Sequence, residues 1–173
     1  MSHENESPQF TPTRGSPMKE NYWFYERGEG DPDPRPLTLK SLMTPSPATL
    51  LVSQLVRDAM DLMTKKNIHH IPVLGKDGRL AGVVTRHDLL AKILHGHTLT
   101  GDEQYHATLD TMLPLEQVMT PRPHVLAPDD PVAKGVALFL THGVHCVPVM
   151  DGSSLVGIVT EKDIFRLMEH MVS

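Results

Sequence analysis

Two stretches of this chain place apolar residues at helical spacing: Val56, Met60 and Met63, and again Val132, Val136 and Phe139. Ser53 and Asp129 precede them as the expected N-caps. Asn67 and Gly143 follow them, the residue types that best accept a left-handed C′ conformation. Each pattern predicts a helix. Each is followed by a short apolar run, IPV at 71–73 and VPV at 147–149. A Gly-containing turn then leads to LAGVVT at 80–85 or LVGIVT at 155–160, which together predict a buried hairpin. A last helix is predicted over Leu89–Leu94 and over Ile164–Met168. Ahead of the first helices, Ala48–Leu51 and His124–Ala127 read as short extended segments. A short helical lead-in precedes each MTP tripeptide.

The pattern is thus written twice. An offset of 76 residues relates Met43 to Met119 and Pro72 to Pro148; from Gly82 and Gly157 onward the offset is 75. The lost residue falls where GKDG faces DG, in a turn, where a change of length does least harm. The predicted fold class is α/β, with two β-α-β-β-α repeats related by a pseudo-two-fold axis. One repeat could not cover both faces of so small a sheet, whereas two can bury their faces on each other. Expected boundaries are 37–94 for the first repeat, 95–112 for a polar insertion and 113–173 for the second repeat. The insertion is expected to be a loop with a helical turn over Glu103–Thr111. Residues 1–36, rich in Pro, Gly, Ser and charge, read as an irregular tail. The tail carries Tyr22, Trp23, Phe24 and Tyr25 in a row, an aromatic anchor expected to dock on this protein or on a partner.

Bulk properties narrow the function. The 173 residues suffice to bury a core without a metal or disulfide staple. A net charge of −5 argues against broad nucleic-acid binding, which calls for a basic face. No apolar run approaches the roughly 20 residues of a membrane span. The N-terminal residues show no apolar core of a secretory signal. Cys146, the one cysteine, lies in the apolar run VHCVPVM and reads as a small buried hydrophobe, and a chain with no possible internal disulfide fits a cytoplasmic setting.

The candidate chemistry sits in GVVTRHD at 82–88 and GIVTEKD at 157–163. Thr85 or Thr160 ends a strand, and Asp88 or Asp163 follows three residues later. That spacing is a capping box with Asp in place of the usual Glu, which satisfies orphan helix amides and needs no ligand. The same geometry suits binding. A helix N-terminus attracts phosphate or a sugar hydroxyl, and an ionised carboxylate matches the two donors of a ribose diol.

In their order and spacing, twice over, the MTP step, the helix followed by [IV]PV, and the Gly–apolar–apolar–Thr–x–x–Asp motif resemble the CBS domain family in its tandem arrangement, the Bateman module. The resemblance covers about Leu37 to Met171. It implies a pseudo-symmetric module with two clefts between the repeats that take AMP, ADP, ATP or S-adenosylmethionine as a regulatory ligand, with no cofactor required. It also implies a homodimer. It assigns the ribose to the motif aspartate. A first site would use Thr85, Asp88, Arg86, His87 and His69, with Thr120, His124 and Val144 from the other repeat. A second would use Thr160, Asp163, Lys162 and His145, with Thr44, Ala48 and Ile68. His69 and His145 are also readable as exposed strand-edge histidines. Arg86 and His87 against Glu161 and Lys162 make the first cleft the more basic, so it is expected to bind a polyanionic nucleotide more tightly.

Three other readings compete. Metal binding is suggested by 11 histidines, but His95 and His97 lack partners at ligand spacing, and adjacent strand residues His145 and Cys146 face opposite sides. An enzyme is disfavoured, since no GxSxG, P-loop, HExxH or nucleophile with a placed base is present. A ligand-free dimerisation or docking scaffold would need neither aspartate. With no second functional domain in the sequence, a sensor of this kind is expected to signal to a separate effector protein, without membrane or nucleic-acid contact.

Overall fold

The computed structural model describes residues 25–26, 35–95 and 111–172. Most of the expected aromatic anchor and of the helical turn over Glu103–Thr111 lie outside the described residues. The backbone of β1 (Tyr25–Glu26) pairs antiparallel with β2 (Arg35–Pro36). The first repeat continues with α1 (Leu39–Leu42), β3 (Thr44–Pro45), β4 (Leu50–Leu51), α2 (Val56–Lys66), β5 (His70–Leu74), β6 (Leu80–Thr85) and α3 (Arg86–His95). The second contains a 3-10 turn (Leu115–Gln117), β7 (Thr120–Pro121), α4 (Val132–His142), β8 (Cys146–Asp151), β9 (Ser154–Thr160) and α5 (Glu161–Val172). The α/β repeat architecture is as the patterning predicts.

Both central helices stop as expected. Asn67 adopts φ 51°, ψ 47° and Gly143 adopts φ 62°, ψ 23°, the left-handed conformation that ends a helix. Their starts differ from expectation. The helices begin after Leu55 and Pro131, not after Ser53 and Asp129. The next residue along, Gln54 or Asp130, folds its side chain back onto the backbone N–H of Leu51 or Ala127, each at 2.8 Å. The helix itself is capped from outside its repeat: Val56 N–H donates to Leu113 O at 2.9 Å, and Val132 N–H to Leu37 O at 2.8 Å.

The sheets reveal the larger departure. β5 and β6 form an antiparallel hairpin, as do β8 and β9, but each hairpin takes its next strand from the other repeat. β3 of the first repeat pairs with β9, and β7 of the second pairs with β6. β4 adds to β5 in parallel, and Leu126 makes the equivalent parallel bridge to Val149. The repeats are therefore exchanged at their MTP strands, which self-contained β-α-β-β-α units would not be.

The lead-ins cross over too. Leu39, fully buried, packs in the second repeat's core with Val132, Phe139, Val147, Val149, Val159 and Ile164. Its repeat mate Leu115, also fully buried, packs in the first core with Val56, Ala59, Ile71, Val73, Val84 and Leu89. Val83, Ile158 and Cys146 form a small cluster between them.

The motif glycines follow from this exchange. A Cβ on Gly82 would stand 2.6 Å from Met119 Sδ and 2.7 Å from Thr120 O. A Cβ on Gly157 would run into the side chain of Met43. The methionine of each MTP thus lies on the glycine of the other repeat's motif, and only glycine leaves room.

Candidate functional site

Each hairpin ends in its Thr and runs straight into a helix. In the first, the carboxylate Oδ2 of Asp88 accepts from Thr85 N–H at 2.9 Å and from Thr85 Oγ1 at 2.8 Å, while Asp88 N–H donates to Thr85 Oγ1 at 3.1 Å. In the second, Asp163 Oδ2 accepts from Thr160 N–H at 2.8 Å and from Thr160 Oγ1 at 2.7 Å. The first copy is a full capping box, and the second shows its carboxylate half. Each uses one carboxylate oxygen and leaves the other. Asp163 Oδ1 has only the guanidinium of Arg166, at 3.5 Å, and Asp163 is buried at 7% exposure.

A cavity of about 640 Å³ opens beside the second motif. Thr160, Asp163, Lys162, His145, Thr44, Ala48 and Ile68, the seven residues expected in the second site, all line it. The strand exchange is what joins them, since β3 carries Thr44 onto β9 beside Ile158. Ser46, in a left-handed conformation at φ 46°, turns the chain after β3 so that Ser46, Pro47 and Ala48 form one wall. The end of α2 and the start of β5, Lys66 to His70, form another.

The wall also holds Lys66, His70, Phe165 and Arg166, which the sequence patterns do not assign to a site, together with Asn67 and Glu161. His69, expected in the first site, lines this cavity. His70 went unnoticed because it begins an apolar strand run. The signal available was its place next to His69 and opposite Thr85 in the hairpin register.

The first set is arranged differently. Thr85, Arg86, His87 and Asp88 occupy the Thr cap and first turn of α3. His69 Nε2 lies 3.5 Å from Arg86 Nη1, and Arg86 N–H donates to His69 O at 2.8 Å. At the matching place in the second repeat, His145 Nδ1 contacts Glu161 Oε2 at 3.1 Å. Thr120 is exposed on β7, in register with Val83, and Val144 packs against the second core. His124 packs against His142 with the rings tilted, centroids 4.5 Å apart and planes at 60°. By the 76-residue offset these two rings stand where the second cavity has Ala48 and Lys66.

The titratable groups separate by surroundings. Burial first, then the neighbouring His145 and His69, hold His70 below the usual imidazole value, while Glu161 and Asp88 oppose the shift. Burial, with the Asp88 carboxylate, pushes the Cys146 thiol up to about 12, so at neutral pH it is no nucleophile. Among the described residues no group of three or more His, Cys, Asp or Glu is arranged to hold a metal ion, and no helix is long and apolar enough to cross a membrane.

The comparison with known sequences decides the family. The CBS domain matches residues 39–95 and 115–170. The chain belongs to the CBS domain family. The tandem CBS pair here is similar to that of CBSX2, solved in complex with AMP, at 26% identity and TM-score 0.64, covering 79% of this chain and 98% of that one. It is likewise similar to a CBS domain pair solved in complex with 5′-methylthioadenosine and S-adenosyl-L-methionine, at 27% identity and TM-score 0.64, covering 78% of this chain and 97% of that one. Among curated proteins it is 30% identical over 143 residues to the L-aspartate semialdehyde sulfurtransferase of Methanocaldococcus jannaschii. That match takes in 82% of this chain but 25% of the relative, so the CBS pair spans about a quarter of that protein.

Proposed function

We propose that this CBS pair is a regulatory module that binds an adenosine-containing ligand in the second cavity, without turnover, and signals to an effector protein. The observation carrying this reading is the cavity itself. It lies where both repeats meet, and it combines a buried carboxylate with one oxygen outside the capping box, a helix N-terminus and an apolar wall from Ala48 and Ile68. AMP, 5′-methylthioadenosine and S-adenosyl-L-methionine in the two related CBS pairs support an adenosine ligand.

Local charge alone would rank the first cleft ahead. In this reading the order is turned round, because the paired His124 and His142 rings stand where the second cavity keeps the small Ala48 and the flexible Lys66. Homodimerisation in a cytoplasmic setting belongs to the same proposal. It is supported by apolar side chains left in solvent on the helices: Leu140 at 82%, Phe165 at 66% and Met168 at 52% exposure.

Thermal melts with AMP, ATP and S-adenosylmethionine test the reading, with sedimentation of the same samples giving the oligomeric mass. A ligand at 100 times its Kd stabilises by about 2.7 kcal/mol. The shift is expected in the wild type and in Asp88→Ala, and is expected to disappear in Asp163→Ala. The reverse pattern moves the ligand to the first cleft. No shift with any of the three leaves a docking scaffold as the better account.

A further inference from the structure

Among the positions at which the two repeats differ is the start of the central hairpin. His70 opens β5, and its repeat mate is Cys146, at the start of β8. Cys146 is closed off against Val83 and Ile158. His70 instead lines the second cavity. Its backbone is held in the hairpin opposite Thr85, yet among the described residues its imidazole has no hydrogen-bond partner. A neutral imidazole offers one donor and one acceptor, so a half-buried ring of this kind has unused capacity facing open space.

The charged groups around it come from every neighbouring element. His69 precedes it on the same segment, Lys66 ends α2, His145 precedes β8, and Glu161, Lys162, Asp163 and Arg166 open α5. Asp88 acts from the first turn of α3. The two acids in the cavity wall are engaged: Glu161 contacts His145, and Asp163 holds Thr160 and faces Arg166. Lys66 and Lys162 have no acidic partner among the described residues. Lys66, Lys162 and Arg166 stand against Glu161 and Asp163, so the wall carries one more cation than it has acids.

We infer that His70 reads the ligand of this cavity, contacting an anionic group such as a phosphate on the adenosine and taking up a proton as it does so. This rests on the adenosine reading above and adds the class of ligand and the residue that selects it. Burial and the adjacent histidines favour the neutral ring. A phosphate at hydrogen-bond distance supplies the counter-charge the ring lacks and raises its proton affinity. A ligand with net positive charge, such as S-adenosylmethionine, does the opposite. The first cleft has no equivalent, because cysteine occupies the place.

The test is calorimetric titration with AMP and with adenosine at pH 7, each in two buffers of different ionisation enthalpy. The expected result is AMP binding about tenfold tighter than adenosine, the scale of one charge-assisted hydrogen bond. Net proton uptake should accompany AMP and be absent with adenosine. The phosphate of AMP, drawn toward cations, releases protons, so its own titration has the opposite sign. His70→Gln should lose both the uptake and the preference. So should His70→Cys, which places the repeat mate's residue on the same strand and guards against a folding artefact. Wild-type AMP binding without proton uptake overturns the inference. So does uptake that survives in His70→Gln and vanishes in His69→Gln or His145→Gln. Equal binding of AMP and adenosine defeats the role of His70 alone, whereas binding of neither defeats the adenosine reading with it.

Discussion

His70 links the cavity to the stability of the fold. In the unfolded chain its imidazole titrates at the ordinary value of about 6.5. In the folded chain burial holds the value lower. Between those two values the unfolded state binds the proton and the folded state does not. The stability associated with His70 is therefore complete above about pH 6.5 and is lost as pH falls toward the folded value. Urea melts at pH 8 and pH 5.5 measure this directly. The wild type should lose more stability across that interval than His70→Gln does, since the substitution removes one titrating group and leaves the other histidines in both proteins. Parallel losses would mean that His70 is protonated as easily folded as unfolded. Cys146, the mate of His70, shows the other outcome of burial at this place: its thiol is pushed so far up that it acts only as a packing group.

At the scale of elements, the pairing of β6 with β7 and of β3 with β9 depends on the two motif glycines. The two sites are not equally forgiving. At Gly82 the obstacles are Met119 and the carbonyl of Thr120, which is backbone in the strand ladder. At Gly157 the three nearest atoms all belong to the side chain of Met43. Gly82→Ala and Gly157→Ala should each cost about 1–3 kcal/mol, the usual penalty of overpacking. Met43→Ala should relieve much of the cost at Gly157, while Met119→Ala should relieve little at Gly82. Denaturant melts on the two double-mutant cycles give the coupling, and equal rescue at both sites would contradict the rigid role given to Thr120. The same elements mark the limit of what was legible in the chain. The repeat, the helix ends at Asn67 and Gly143, and the hairpins could be read because each depends on residues close in sequence. Ser53 and Asp129 satisfied the local rule for a cap and still lost, because Leu113 and Leu37 deliver carbonyls from far along the chain. The glycines were visible as a repeated letter, but their cause, a methionine in the other repeat, was not. For the candidate site, the second set of residues could be carried over position by position from the resemblance to CBS pairs. Lys66 and His70 could not, since lining a cavity depends on the strand exchange and not on any motif.

The exchanged segments make a prediction about the molecule as a whole. Were each repeat self-contained, its core would stand or fall alone. Here Leu39, from the start of the first repeat, is fully buried in the second core, and Leu115, from the start of the second, is fully buried in the first. Backbone bonds follow the same crossing: Leu39 N–H donates to Asp130 O at 2.9 Å, and Leu115 N–H to Gln54 O at 2.8 Å. Unfolding either core therefore releases a lead-in whose own repeat holds the other core's lead-in. The expected result is one cooperative transition, with calorimetric and van't Hoff enthalpies in agreement. Leu39→Ala and Leu115→Ala each remove a large buried side chain and should cost about 2–5 kcal/mol. Each should lower the midpoint of that single transition, whichever core it empties. The two side chains occupy separate clusters, so the double variant should lose the sum of the two costs if it still folds. Two resolved transitions, with Leu39→Ala moving only one, would mean that the crossing segments do not couple the repeats. In the proposed sensor such coupling would carry a ligand contact at Asp163 or His70 to both cores at once.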